Sequence, residues 1–235
     1  MKVEIWSDVM CPFCYIGKRK FEAALEQFED REAIEIVWKS FQLNPDQETD
    51  PEVNLHQHLA DVKGWSLDYA RQMNDYVTGM AREVGLDYHL DKAVVANSFD
   101  AHRLIQFAKQ QGLGDAMEER LFKAYFTEGA NTADHETLLR LGTEIGLPAE
   151  PVRAVLASGE FAGAVQADIH ESRLLGVRGV PFFVFNRKYA VSGAQAPETF
   201  LGALRKAFPE WRQANPVLVE LASEGAVCGP DGECN

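Results

Sequence analysis

Two hydrophobic periods alternate along this chain. Lys2-Val3-Glu4-Ile5-Trp6-Ser7-Asp8 reads as a buried strand. From Cys14 the period lengthens: Cys14, Gly17, Phe21, Ala24, Leu25 and Phe28 recur at helical spacing and form a core face. Lys18, Arg19, Lys20, Glu22, Glu26 and Gln27 lie largely off that stripe. Ala33 to Phe41 is β-branched and aromatic, which predicts a second strand. A whole helix between two strands makes a βαβ unit, so the strands should be parallel. Asn44 to Pro51 is polar and turn-rich and breaks the alternation.

From Leu55 to Leu175 the pattern is helical, in segments near 55–63, 66–84, 97–111, 114–128, 134–146, 149–157 and 160–175. No strand is expected there and no internal repeat is visible. Asn97, Ser98 or Asp100 offers an N-cap for the third segment, and Thr132 or Asp134 for the fifth. Trp65, Tyr69, Met73, Tyr76 and Met80 form an aromatic–Met series. Core packing is its default role, and the wall of a substrate groove the sharper one. The period then returns to two. Gly176 to Pro181 is a tight connection, Phe182 to Phe185 a short buried strand, Asn186-Arg187-Lys188 a hairpin turn, and Tyr189 to Ser192 the returning strand. Pro197 to Phe208 closes the pattern as an amphipathic helix.

Without the long helical stretch, the order is β-α-β followed by α-β-β-α. That predicts an α/β class with a large all-helical insertion after the second strand. Residues 1–42 and 160–208 form the α/β domain, 43–159 the insertion, and 209–235 a C-terminal tail with a second Cys pair.

Composition narrows the function classes. The chain has 235 residues, 46% of them hydrophobic, enough for a core without a disulfide scaffold. The net charge of −13 is a poor footprint for nucleic acid or for an anionic membrane surface. The N-terminus enters a strand directly, with no basic then apolar leader, and no apolar run reaches the ~18 residues of a membrane span. These features predict a cytoplasmic protein, as a monomer or homodimer, with no nucleic-acid or membrane partner.

The candidate chemistry is carried by four cysteines in two close pairs, Cys11/Cys14 and Cys228/Cys234. In a reducing compartment such pairs are more often redox-active or metal-binding than permanently bridged. Cys11 falls at the start of a predicted helix, with Pro12 at its favoured first position. Unpaired N–H groups and the positive end of the helix dipole favour a thiolate there. Cys14 lies one turn further in, toward the core, and can attack a mixed disulfide formed at Cys11. Cys11 is therefore the candidate nucleophile and Cys14 the resolving thiol. Pro12 shapes the turn. Phe13 adds bulk without charge or donor, which predicts a less oxidising pair than a site with His at that position. A zinc site built from both pairs fits poorly, because five residues separate Cys228 from Cys234 and Pro12 sits inside the first pair. His56 and His58 lack further ligands, and there is no His-Glu-x-x-His and no phosphate-binding glycine loop. No metal is expected.

Ser7-Asp8-Val9-Met10-Cys11-Pro12-Phe13-Cys14-Tyr15-Ile16-Gly17 resembles the opening of the DsbA family, in particular its FrnE-like branch. Asn97 to Leu104, Gly176 to Phe185 and Ser192 to Gln195 resemble further motifs of that branch, in order over about residues 1–208. The resemblance implies a thioredoxin fold with an inserted helical domain and protein thiol–disulfide oxidoreductase activity. It implies a cis proline at Pro181 facing the cysteines, with the Val180 backbone positioning an extended substrate. It suggests that Cys228 and Cys234 form a second redox pair, either exchanging with the first or oxidising in isolation, although Glu233 lengthens the usual spacing. His102 and Arg103 fall in the helical motif; joining helices to the α/β domain is their default role, and a substrate pocket the sharper reading. No cofactor is expected beyond glutathione as a co-substrate, and the partners are thiol or disulfide proteins or glutathione itself. Two alternatives stay open: a glutathione-dependent isomerase or transferase of the 2-hydroxychromene-2-carboxylate isomerase type, and a non-catalytic, chaperone-like binding module.

Overall fold

Strand β1 (Lys2–Ser7) is the centre of the molecule. In the computed structural model, which describes residues 1–216, it pairs in parallel with β2 (Glu35–Ser40) and antiparallel with β5 (Phe182–Phe185). Strand β6 (Tyr189–Ser192) closes the order β2-β1-β5-β6. Neighbours on both sides explain why five of the six β1 residues are buried.

The first helix, α1 (Pro12–Glu26), returns the chain over one face of the sheet beside the last helix, α9 (Pro197–Ala214). Phe21 of α1 meets Phe183, Phe185 and Phe200 at centroid distances of 5.4, 6.1 and 5.7 Å. Each such pair adds about 0.5–1.5 kcal/mol beyond burial. The β5–β6 turn puts Asn186 and Arg187 at φ 50° and 54°, the left-handed pair that a two-residue hairpin requires.

Between β2 and β5 lie β3 (Asp50–Asn54), α2 (Leu55–Lys63), α3 (Leu67–Glu83), β4 (Val94–Val95), α4 (Phe99–Gln110), α5 (Gly114–Phe126), α6 (His135–Glu144), α7 (Ala149–Ala157) and α8 (Ala162–Leu174). Asn54 caps α2 through His56 N at 2.9 Å, and Asp134 caps α6 through Thr137 N at 2.8 Å. That last bond holds the Asp134 carboxyl below its usual range. Ser98 is the N-cap of α4 without a side-chain bond, while Asn97 Oδ1 accepts from Phe99 N at 2.9 Å.

Three expectations need correction. The insertion is helical apart from a two-stranded ribbon of β3 and β4. Val94-Val95 is too short to show a period, so only its distant partner reveals it. The final helix does not stop at Phe208 but runs over Pro209 to Ala214, so 209–214 is helix and not tail. Trp211 packs tilted against Phe208 at 5.4 Å, and Phe208 meets Phe28 edge-to-face at 5.2 Å, contacts that offset the missing proline N–H. The aromatic–Met series is not the core face of α3. That face is Ala70, Asn74, Val77 and Ala81, while Trp65, Tyr69 and Tyr76 are exposed. Small residues there allow close helix approach, which an aromatic stripe would prevent.

The other sheet face is fastened to α8. Trp6 Nε1 donates to the Asp168 carbonyl at 3.0 Å. The Asp168 carboxylate accepts from Lys39 Nζ at 2.6 Å, Ser40 N at 3.0 Å and Gln106 Nε2 at 2.6 Å. Glu4, buried on the same face, pairs with Arg187, which also holds Glu171. Burial nevertheless leaves the Glu4 pKa raised.

Candidate active site

The end of β1 and the start of α1 place the two sulfurs. Cys11 is the N-cap of α1, with extended backbone (φ −89°, ψ 110°). Its N–H donates to the Asp8 carbonyl at 2.9 Å, and its carbonyl accepts from Cys14 N at 3.0 Å. No side chain caps the helix, so its first N–H groups stay available to an anion at Cys11. Pro12 occupies the first turn, and its carbonyl accepts from Tyr88 Oη at 2.8 Å. This bond ties the active-site turn to the insertion. Phe13 points outward at 37% exposure.

Cys11 is 4% exposed and Cys14 1%, so the first is the more accessible of two sheltered thiols. Burial pushes the Cys14 thiol well up, and the Cys11 side chain adds to the rise, while the Asp8 backbone and Ser7 oppose it. Cys14 therefore stays protonated until something removes its proton.

The connection before β5 faces the same point. The Val180–Pro181 bond is cis, and Cys11 Sγ donates to the Val180 carbonyl at 3.5 Å. Gly17 of α1 makes this approach possible: a Cβ there would stand 2.9 Å from Pro181 Cγ. The structure thus brings Cys11, Pro12, Phe13, Cys14, Val180 and Pro181 together. Cys228 and Cys234 lie outside the described residues.

His102 and Arg103 are both buried. Arg103 is 4% exposed, bonds Asp100 at 2.7 Å, and donates to the carbonyls of Val155, Ser158 and Glu160. Its donors are consumed in fastening α4 to the end of α7. His102 is 1% exposed, with Nε2 3.4 Å from Asp8 Oδ1, a separation without hydrogen-bond geometry. Burial works against its charged form, but Asp8 and Glu118 outweigh it, so its pKa is raised.

Several site residues were not anticipated. Ser7 Oγ donates to Glu118 Oε1 at 2.6 Å beneath the cysteines. Burial raises the Glu118 carboxyl to about 7. A signal existed: Glu118 interrupts the buried stripe Gly114, Met117, Leu121, Phe122 and Tyr125 of α5. Lys18 is also buried at 3%, paired with Glu22, Glu119 and Asp115. Beside the turn opens a cavity of about 460 Å³, walled by Met10, Leu43, Leu55, Leu59, Val62 and Tyr125 among others. Its walls are mostly apolar, with Leu43 54% and Val62 58% exposed.

A βαβ–ββα sheet with a dithiol at the first helix N-terminus and a cis proline opposite defines a thioredoxin-like protein. The model of the DSBA-like thioredoxin domain matches residues 2–205, and the chain belongs to that family. It is similar over its whole length to a structure of a probable DsbA oxidoreductase from Streptomyces coelicolor, with 38% identity, 98% of that chain covered and a TM-score of 0.84. The cytosolic disulfide reductase DsbM of Pseudomonas aeruginosa matches 89% of this chain and 100% of its own at 19% identity and TM-score 0.64, a likeness of fold. An uncharacterized protein of Bacillus subtilis, YwbO, is 26% identical over 204 residues, 86% of this chain and 94% of its own.

Proposed function

We propose that this protein is a thiol–disulfide oxidoreductase in which Cys11 is the nucleophile and Cys14 the resolving thiol. The observation that carries this reading is the placement of Cys11 at an uncapped helix N-terminus, 3.5 Å from the Val180 carbonyl, with Cys14 one turn deeper. A substrate sulfur bound to Cys11 would leave the Val180 backbone free to meet an extended chain. The apolar cavity beside Met10 fits side chains next to a substrate cysteine. Protein disulfides or glutathione serve as substrates, with no metal or other cofactor.

The protein acts in the cytoplasm in this reading. No helix among the described residues is long and apolar enough to cross a membrane, and the DsbM neighbour is itself described as cytosolic. Cytoplasmic work suits a reducing pair, and Phe13 supplies no donor to stabilise the Cys11 thiolate further. The reduction potential, titrated against glutathione, should be clearly more negative than the about −120 mV of DsbA. Insulin reduction and oxidation of reduced ribonuclease then report the net direction. A potential as oxidising as that of DsbA would refute the reductase direction, and inertness in both assays the whole reading.

The glutathione-dependent isomerase reading has one observation in its favour: 2-hydroxychromene-2-carboxylate isomerase shares the fold at 15% identity and TM-score 0.62. Two protein thiols at the site favour redox chemistry over it. Cys228 and Cys234 act as a second pair that exchanges with Cys11 and Cys14. Replacing both with Ser should slow turnover with protein disulfides severalfold, and an unchanged rate would remove the exchange.

A further inference from the structure

The Pro12 carbonyl lies inside the Cys-x-x-Cys turn, and a partner for it comes from far along the chain. Tyr88, in the connection between α3 and β4, donates its hydroxyl to that carbonyl at 2.8 Å and is 4% exposed. The backbone on both sides of Tyr88 is fastened to the end of α5. The Asp87 carbonyl accepts from Thr127 Oγ1 at 2.7 Å, and His89 N donates to the Phe126 carbonyl at 2.6 Å. The ring stacks on Phe126 at 4.6 Å and on Tyr15 of α1 at 6.2 Å. Burial, then Cys11, Tyr15 and Cys14, push the Tyr88 pKa up, so the hydroxyl keeps its proton and stays a donor. Tyr15, the other hydroxyl beside the turn, donates to Glu119 at 2.6 Å instead. A rigidly held donor from the insertion therefore meets one carbonyl of the active-site turn.

That carbonyl shares its peptide unit with the Phe13 N–H. Phe13 is the second residue of α1, so its N–H has no acceptor within the helix, and no side chain caps it. Cys11 is the N-cap, the position whose side chain reaches the N–H of the second or third helical residue. The third, Cys14 N, is already given to the Cys11 carbonyl at 3.0 Å. As a thiol, Cys11 donates to the Val180 carbonyl at 3.5 Å. As a thiolate, with its proton lost to solvent, it has nothing to donate there, and the Phe13 N–H is the donor left for it. We propose that Tyr88 is a positioning residue for the Cys11 thiolate: its hydroxyl holds and polarises the Pro12–Phe13 peptide whose N–H the thiolate takes up. This deepens the oxidoreductase reading above and rests on its choice of Cys11 as nucleophile. A hydrogen bond accepted by a peptide carbonyl strengthens the one donated by the N–H of the same unit, by about 10–30%. Applied to a charge-assisted bond, that changes the thiolate population about two- to fourfold.

The other titratable groups around the turn do not change when this one hydroxyl is removed. Tyr15 and Arg19 of α1 lie near it, with Arg19 held by Glu22 and Glu119. On the other side of the Tyr88 ring is a cavity of about 200 Å³ lined by His56 of α2, Asp75 of α3 and Asp91 before β4 among others. Beneath the cysteines stand Asp8 after β1, His102 of α4 and Glu118 of α5. Tyr88→Phe leaves all of these charges in place and keeps both stacked rings.

The test isolates one thiol. In the full-length chain carrying C14S, C228S and C234S, Cys11 is the cysteine left for iodoacetamide, and the alkylation rate is followed against pH. On the acid limb the rate is proportional to the thiolate population, and on the alkaline plateau Cys11 is fully ionised. Tyr88→Phe should lower the acid limb about two- to fourfold without lowering the plateau. Tyr88→Leu, which also gives up the ring stacking, should show the same loss on the acid limb whatever it costs in stability. Tyr15→Phe, which removes the hydroxyl that does not touch the turn, should leave the acid limb unchanged. An unchanged acid limb in Tyr88→Phe overturns the proposal, and so does an equal fall on limb and plateau, which a loosened turn alone would give. A fall in Tyr15→Phe as large as in Tyr88→Phe overturns it as well. Alkylation needs no disulfide chemistry, so inertness of the unmodified protein toward insulin and reduced ribonuclease refutes the oxidoreductase reading separately.

Discussion

Cys11→Ser should abolish insulin reduction, with a loss on the order of 10³-fold or more. A serine hydroxyl is not ionised at neutral pH, and no group at the helix N-terminus is a general base for it. Cys14→Ser should behave differently. Cys11 can still attack, but nothing resolves the product, so mixed disulfides with substrate accumulate on a non-reducing gel. The asymmetry follows from the positions of the sulfurs. Cys11 borders the Val180 carbonyl at 3.5 Å, whereas Cys14 is buried behind it with its pKa pushed well up. Equal trapping by both variants would contradict the assigned order of attack. Isomerase activity surviving Cys11→Ser would favour the glutathione-dependent alternative, and chaperone activity indifferent to both cysteines the binding-module alternative.

Asp168→Ala should be the most destabilising single change outside the aromatic core. Its carboxylate is buried and accepts from Lys39, Ser40 and Gln106, so it joins α8, β2 and α4 at one point. Removing it leaves Lys39 to Glu171 alone and Gln106 to Ser40 Oγ alone, and takes from the buried Ser40 N–H its acceptor. Breaking a buried pair of this kind costs about 3–5 kcal/mol, which should lower the urea midpoint by about 1–2 M. Asp168→Asn, which keeps one acceptor, should cost less. A midpoint shifted by less than a few tenths of a molar unit would show that the network is replaceable by water.

The local pattern carried most of the fold. Strand periods in Lys2–Ser7 and Phe182–Phe185, and helical periods through the insertion, place the elements nearly where they occur. The errors share a cause. Val94-Val95 is a strand only because Asp50–Asn54 lies beside it. Phe208 did not end its helix, because Trp211 and Phe28 pack across the proline. Tyr69 and Tyr76 looked like core, but the face α3 turns inward is set by what it packs against.

The Cys-x-x-Cys stretch is local chemistry: a strand end, a proline-started helix and two sulfurs one turn apart are properties of a few consecutive residues, so they can be read along the chain. What lies opposite and beneath those sulfurs cannot. Val180 is 169 residues from Cys11, and Glu118 is 111 from Ser7. Both meet the site only because β5 and α5 pack beside β1 and α1, and no sequence period records contacts at that separation. For the same reason Arg103 resembled a ligand-binding side chain until the backbone carbonyls that occupy its donors were in view. Residue order decided where the thiols are and which can strike first. Tertiary packing decided how deeply Cys14 is buried and which backbone carbonyl faces Cys11.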